Sequence, residues 1–210
     1  YMLENMATGR RFEDTGWLLA DPQGTEPSLI RAIYEKKQID FGSQEEGIYR
    51  FADWLPISRT LKGSSATQTY KSEALAAHLG LSNLYIAFSG YWPEKDAYMT
   101  TGSFKETEAY SVCGRLSPNK SGILVVASAG NTARSFAKVC SENNIPLLLS
   151  VPEDNIDALW FEKPINDCVQ LICSPKGSDY YDAIALADKV CTSEKFFAEG
   201  GAKNVARRDG

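Results

Sequence analysis

The sequence is poor in several features, and each absence argues against a class of protein. It has a single histidine, His78, and its five cysteines include no Cys-x-x-Cys pair. Structural zinc sites take most of their ligands from closely spaced cysteines and histidines, so we expect no metal site. No apolar run approaches the roughly 18 residues of a membrane-spanning helix, and the first 16 residues lack the apolar core of a signal peptide. We therefore expect no membrane partner.

Positive charge is also in the minority. The chain has 22 Lys and Arg against 27 Asp and Glu, which gives a formal net charge of −5. Nucleic-acid binding usually needs a basic surface, so we expect no nucleic-acid partner. The 210 residues, of which 43% are hydrophobic, are enough for one or two domains with a core. The odd number of cysteines predicts reduced, buried thiols in a cytoplasmic protein.

Four apolar segments predict an open, mostly parallel α/β sheet with helices on both faces. The segments are Ile123–Ala127, Pro146–Val151, Cys168–Cys173 and Lys195–Ala198. The first two are near-continuous apolar runs, which is typical of strands covered on both sides. Residues with helical spacing lie between these segments: Ala133, Phe136, Ala137 and Cys140, then Tyr180, Ile184, Ala187 and Cys191. We expect Ser178 to be the N-cap of the second of these helices.

The first part of the chain has weaker patterns. We predict a short helix near Ser28–Gln38 and a core-entering aromatic segment at Tyr49–Ile57. Further along, we predict a helix within Lys71–Leu81, a strand at Leu84–Phe88 and a loop over Ser89–Thr101. Because the sequence starts with Tyr, we expect further residues in front of it.

Two motifs predict a chemical site. The segment 101–105 (TGSFK) places Lys105 one turn inside a helix that opens after a glycine turn. The segment 128–132 (SAGNT) places a glycine-asparagine-threonine turn directly after a buried strand and at the start of another helix. A lysine amine can form a Schiff base, and a helix N-terminus can hold an anion. The alternatives are a solvated helix lysine and a plain strand-to-helix connection.

These two motifs, with the entry segment Tyr49-Arg50 … Leu55-Pro56, resemble the fold-type-II pyridoxal phosphate enzymes, the tryptophan synthase β-subunit superfamily. The resemblance implies that the chain is the N-terminal half of a two-domain enzyme with pyridoxal 5'-phosphate as cofactor. Lys105 would hold the cofactor covalently, and Asn131 would hydrogen-bond the hydroxyl oxygen of its ring. The remaining implied contacts, to the α-carboxylate of an amino-acid substrate, come from Ser128, Ala129, Gly130 and Thr132.

The closest resemblance is to the threonine synthase branch, with differences. The residues after the lysine are Glu106-Thr107-Glu108, where threonine synthases usually have Asp-Arg-Gly, and Ala129 replaces a serine. The segments 89–95 and 199–210 resemble the cysteate synthase family, and the likeness runs from about residue 28 to the end. This implies conversion of O-phospho-L-serine and sulfite to L-cysteate and phosphate, on the coenzyme M route, by a cytoplasmic homo-oligomer.

The resemblance also implies a division of the chain into domains. Residues 1–98 would form an N-terminal extension and part of a large domain, 99–202 a small α/β domain, and 203–210 a connection to a C-terminal half. We expect the loop for the cofactor phosphate in that half. The candidate contacts to the substrate anions are Arg134, Lys203, Arg207 and Arg208. Two alternatives stay open: a threonine synthase acting on phosphohomoserine, or a related lyase, and a truncated, non-catalytic domain.

Overall fold

The structure is a computed structural model, and it describes residues 1–39 and 45–210. Its first part contains short antiparallel strands. They are β1 (Met2–Asn5), β2 (Arg11–Phe12), β3 (Ile30–Ile33), β4 (Gln68–Lys71), β5 (Tyr85–Phe88), β6 (Tyr91–Trp92) and β7 (Ala97–Tyr98). One sheet has the order β2-β1-β3, while β4 pairs with β5 and β6 with β7. The helices of this part are α1 (Glu73–Leu79) and 3₁₀ helices at Gly47–Trp54 and Pro93–Lys95.

The second part is built on a parallel sheet. Its strands are β8 (Ile123–Ala127), β9 (Leu147–Pro152), β10 (Val169–Ser174) and β11 (Phe196–Ala198). They lie in the order β10-β9-β8-β11, and each neighbouring pair is parallel. The α-helices are α2 (Lys105–Arg115), α3 (Asn131–Glu142), α4 (Tyr180–Val190) and α5 (Val205–Asp209), with 3₁₀ helices at Glu153–Ala158 and Gly201–Lys203.

Helices cover both faces of this sheet, which confirms the predicted fold class. Successive side chains of a strand point to opposite faces. Leu124 and Val126 of β8 therefore pack with Phe136 of α3 in the main core, which also includes residues of α2. Val125 lies on the other face, in a cluster with Ala187 of α4. All six residues of β9 are buried, which explains its near-continuous apolar run.

The predicted helix near Ser28–Gln38 is wrong. Residues 30–33 instead form β3, which pairs with β1 so that Ile30 lies opposite Asn5 and Ala32 opposite Leu3. Ile30 is fully buried against Leu3. A partner strand distant in sequence supplies this burial, so the local pattern carries little trace of it.

Three further differences are local. The N-cap of α4 is Asp179, whose carboxylate accepts the N–H groups of Tyr181 and Asp182, so the choice of Ser178 is wrong. The segment 89–101 is not only a loop, because it contains the hairpin of β6 and β7. The thiols are not all buried: Cys113 and Cys140 are, whereas Cys173 is exposed.

The other predicted elements of the first part are present. The helix expected within Lys71–Leu81 is α1, and the strand expected at Leu84–Phe88 is β5. The aromatic segment enters the core through Tyr49, which is 2% exposed. Among the described residues, no helix is both long and apolar enough to cross a bilayer.

Candidate active site

Lys105 is the first residue of α2, not one turn inside it. Gly102, with φ of 63°, turns the chain just ahead of the helix. Ser103 Oγ accepts the Lys105 N–H at 3.3 Å, and Glu106, which is fully buried, accepts the Thr101 N–H at 3.1 Å. The turn is therefore fixed to its own helix, and the lysine side chain, 28% exposed, is left accessible at the end of the helix.

The Gly-Asn-Thr turn connects the carboxyl end of β8 to α3. Ser128 is buried, and its Oγ accepts the N–H of Gly130 at 3.2 Å and of Ala133 at 3.1 Å. The first four N–H groups of a helix lack intrahelical partners. Ser128 Oγ accepts two of them, from Gly130 and Ala133, and the regular helical bonds begin with the Arg134 N–H, which donates to the Gly130 carbonyl. Among the described residues, the N–H groups of Asn131 and Thr132 have no acceptor, so they remain as donors for an anion.

The surroundings of the turn are open. A Cβ added at Gly130 would meet no atom of the described residues within 4 Å, and Ala129 is only partly buried. Asn131 is exposed, and its side chain makes no hydrogen bond with the residues that the structure describes. A ligand can therefore approach the backbone of the turn and the amide of Asn131 together.

A chain of ion pairs connects the two motifs. Lys105 Nζ pairs with Glu108 Oε1, and Glu108 Oε2 accepts a hydrogen bond from Arg207 Nε at 3.1 Å. Arg207 Nη2 in turn donates to Thr132 Oγ1 at 3.3 Å, and Nη1 pairs with Glu199 at 2.7 Å. The side chains of Glu108 and Arg207 therefore connect the lysine amine to Thr132 of the Gly-Asn-Thr turn.

Burial sets the electrostatics of this network. It raises the pKa of the Glu199 carboxyl, although Arg207 opposes the shift, and Glu199 Oε1 is buried without a partner among the described residues. Burial would lower the pKa of Arg207, but the carboxylates of Glu199 and Glu108 outweigh it and raise that pKa. Arg207 is thus held as a cation between two acids.

The four candidate anion contacts differ in their exposure and in the partners that they already have. Arg207 is engaged by two carboxylates, Arg208 donates to the Ile30 carbonyl, and Lys203 is exposed. Arg134 is buried and donates to the Thr101 carbonyl. The sequence patterns gave no site role to Glu108 or Glu199. An acid three residues after a lysine on one helix was the available signal for Glu108, because such pairs face each other.

The fold and the site together define a class of α/β domain with a parallel sheet. In it, a lysine at the start of one helix (Lys105 of α2) is connected by ion pairs to the open start of the helix after the next strand (α3, after β8). No family model matches the chain. Curated relatives do. The chain is 44% identical over 210 residues to "Cysteate synthase" of Methanospirillum hungatei, with all of the chain and 48% of the relative covered.

Other relatives carry the same name. The protein from Methanosarcina acetivorans is 42% identical over 210 residues, with 50% of it covered. The protein from Methanothrix thermoacetophila is 51% identical over 184 residues, with 87% of the chain and 43% of the relative covered. The chain spans about half the length of the curated relatives it matches, and it is similar to them along its sequence.

Solved structures give a weaker likeness. Diaminopropionate ammonia lyase of Escherichia coli has a TM-score of 0.47 at 13% identity, with 68% of the chain and 42% of that structure covered. A pyridoxal 5'-phosphate-dependent aspartate racemase has the same TM-score at 15% identity, with 69% and 42% covered.

Proposed function

We propose that the chain is part of a pyridoxal phosphate-dependent enzyme that replaces the phosphate of O-phospho-L-serine with sulfite, giving L-cysteate. The observation that carries the proposal is the identity of 41% to 51% to proteins named cysteate synthase. The geometry of Lys105 and the Gly-Asn-Thr turn supports it. The relatives' name does not favour the alternative of a threonine synthase acting on phosphohomoserine.

The residues present fit the reactive end of the cofactor. Lys105 offers a partly exposed amine, and Asn131 offers a side-chain amide without a partner among the described residues. Lys105 would hold the aldehyde carbon, and Asn131 would donate to the ring hydroxyl oxygen. When bound, pyridoxal phosphate supplies the electron sink that stabilises negative charge at the Cα of an amino acid.

The chain's own groups would do the rest of the work. The N–H groups of Asn131 and Thr132 would bind the α-carboxylate of phosphoserine, helped by the dipole of α3. The open space at Gly130 would let that carboxylate reach them. Lys105 Nζ, once free, would take the proton from Cα as general base and later return it. Glu108 would hold the ammonium form of Lys105 between these two steps.

The division into residues 1–98, 99–202 and 203–210, the place on the coenzyme M route, the cytoplasmic location and the homo-oligomer are further parts of the proposal. They rest on the resemblance and on the relatives' name. The pairing of Arg207 with Glu108 joins residues on both sides of position 203. If 203–210 is a connection, it also supplies Arg207, which pairs with Glu108, the partner of Lys105.

Covalent labelling tests the role of Lys105. The purified chain is mixed with pyridoxal phosphate, reduced with borohydride and mapped by peptide mass. We expect label on Lys105, its loss in Lys105→Ala, and its retention in the matched control Lys163→Ala, because Lys163 is an exposed lysine outside both motifs. Label spread over exposed lysines, with none on Lys105, would contradict the proposal.

Phosphate release tests the reaction. Phosphate should be released from phosphoserine with sulfite, and Asn131→Ala should be labelled at Lys105 but turn over more slowly, since only the ring contact is removed. Release from phosphohomoserine in preference to phosphoserine would favour the threonine synthase alternative. A labelled chain that releases no phosphate from either substrate would favour the non-catalytic domain.

A further inference from the structure

A cavity of about 260 Å³ lies beside α3 and borders the candidate active site, because Thr101 of the segment 101–105 lines it. Its walls come from Thr100 and Thr101, from Arg134 and Lys138 of α3, and from the segment 160–166. Neither Lys105 nor Asn131 lines it. The cavity is large enough for a ligand of amino-acid size but smaller than the usual drug-sized pocket.

Arg134 is the unusual residue of this cavity. It is 8% exposed, and no acidic side chain forms an ion pair with it among residues 1–39 and 45–210. One guanidinium nitrogen, Nη2, donates to the Thr101 carbonyl, and Nε is buried without an acceptor. Cζ lies 4.0 Å from the centroid of the Trp160 ring. Burying a guanidinium costs several kcal/mol unless an anion compensates it.

The neighbouring lysine is a useful contrast. Lys138 lines the same cavity, but its Nζ lies 3.1 Å from Glu106 and 3.2 Å from Glu142, so its charge is neutralised. At the rim, Glu162 and Lys163 are both exposed and of opposite sign. Lys138 with Glu106 and Glu142 leaves one carboxylate in excess, and Lys163 is exposed, so Arg134 is the buried cation of the lining that has no acidic partner among the described residues.

The orientation of Arg134 is fixed before any ligand binds. The Thr101 carbonyl holds one edge of the guanidinium and the Trp160 ring lies over its face. Nη1 makes no hydrogen bond with the described residues and is not sealed from solvent, unlike Nε. A planar guanidinium held in this way is suited to bind oxyanions, whose oxygens accept charge-assisted hydrogen bonds.

We propose that this cavity binds a small organic oxyanion, a phosphate monoester or a sulfonate. Its oxygens accept hydrogen bonds from Arg134, and its carbon part lies against Trp160 and Ile165. The choice of a phosphate monoester or a sulfonate among oxyanions rests on the proposed function, whereas the cavity itself contains neither Lys105 nor Asn131. The ligand has two possible sources: the reacting amino acid itself, or a separate anion that binds beside the active site.

Titration calorimetry with 2-phosphoglycolate tests the proposal, because this monoester has no amine with which to enter the pyridoxal phosphate reaction. We expect Arg134→Gln to weaken binding about ten- to a hundredfold, the loss typical of a hydrogen bond to a charged group. Lys163→Gln, which removes an exposed rim charge, should change it by only about two- to threefold. Lys105→Ala should leave it unchanged.

A second readout covers the case in which Arg134→Gln fails to fold. Phosphoglycolate should change the tryptophan emission of the native chain, and Trp160→Phe should abolish that change, because the remaining three tryptophans lie outside the cavity. An unchanged affinity in a folded Arg134→Gln chain, an emission change that survives in Trp160→Phe, or no binding to the native chain would each overturn the proposal.

Phosphoserine separates the two sources. Binding of phosphoserine to the Lys105→Ala chain that weakens with Arg134→Gln would identify the substrate as the ligand. Binding of phosphoglycolate but not of phosphoserine would identify a separate anion. Both outcomes support an oxyanion site at Arg134, and both can be told apart from failure of the proposed function, which is measured by label on Lys105.

Discussion

At the scale of single residues, Gly102 sets the position of Lys105. Its φ of 63° lies in the left-handed region, and within residues 1–39 and 45–210 a Cβ added there would meet no atom closer than 4 Å. We expect Gly102→Ala to lower the free energy of unfolding by about 1–2 kcal/mol, because the backbone conformation alone disfavours alanine. Chemical denaturation measures this loss, and covalent labelling of Lys105 should fall with it.

Asparagine provides the control at the same position. Asn tolerates the left-handed conformation better than Ala although it is the larger residue. Gly102→Asn should therefore be the less destabilising of the two. If the two variants lost the same stability, or if Asn lost more, space rather than φ would control the turn.

At the scale of elements, α4 shows how one cap decides where a helix begins. The Asp179 carboxylate accepts the N–H groups of Tyr181 and Asp182, and the Asp182 side chain accepts the N–H of Asp179 in return. Asp179→Ala should lower the free energy of unfolding by about 1 kcal/mol, the usual value of an N-cap. Thermal or urea unfolding measures this difference.

Ser178 is the matched control for Asp179. Its side chain makes no hydrogen bond with the described residues, although its backbone N–H donates to the Pro175 carbonyl. Ser178→Ala should change stability by no more than about 0.5 kcal/mol. A loss at Ser178 as large as that at Asp179 would show that the helix begins earlier than this structure has it.

At the scale of the whole molecule, Arg115 ties the N-terminal segment to the end of the chain. Its guanidinium pairs with Asp14 at 2.9 Å and donates to Asn204 and to the Leu18 carbonyl, each at 2.9 Å. The side chains of Arg115 and Asp14 are 2% and 8% exposed. Arg115→Ala should cost about 3–5 kcal/mol, because it leaves the Asp14 carboxylate buried without its cationic partner, with only the Tyr1 hydroxyl still donating to it.

Hydrogen exchange gives the spatial test of this tie. Protection should fall in β1–β3 and in α5 together when Arg115 is replaced. The control is Arg31→Ala, whose side chain is 57% exposed and whose partner Glu4 keeps Arg11, so the loss should be about 0–1 kcal/mol. Lower protection in β1–β3 alone, with α5 unaffected, would contradict a link between the two ends.

The parts of the fold that could be predicted are those with local patterns. The run Ile123–Ala127 is reproduced as β8 without a shift, and the residues of α3 with helical spacing are buried. The prediction failed at β3, where burial comes from pairing with β1, and at α4, where two adjacent polar residues competed for one cap. The strand β3 depends on a tertiary contact with β1. The start of α4 depends on the local geometry of two neighbouring polar residues, Ser178 and Asp179, which residue type alone does not distinguish.

The candidate site divides in the same way. The sequence alone determined that a lysine follows a glycine turn and that a Gly-Asn-Thr turn follows a buried strand, since both are set by neighbours along the chain. Only the tertiary structure decided that Arg207, 99 residues after Glu108, connects the lysine to Thr132, and that Arg134 is buried without an acidic partner in the part of the chain that is described. Ion pairs and burial depend on which distant segments come into contact in the folded chain, and the spacing of residues along the sequence does not predict those contacts.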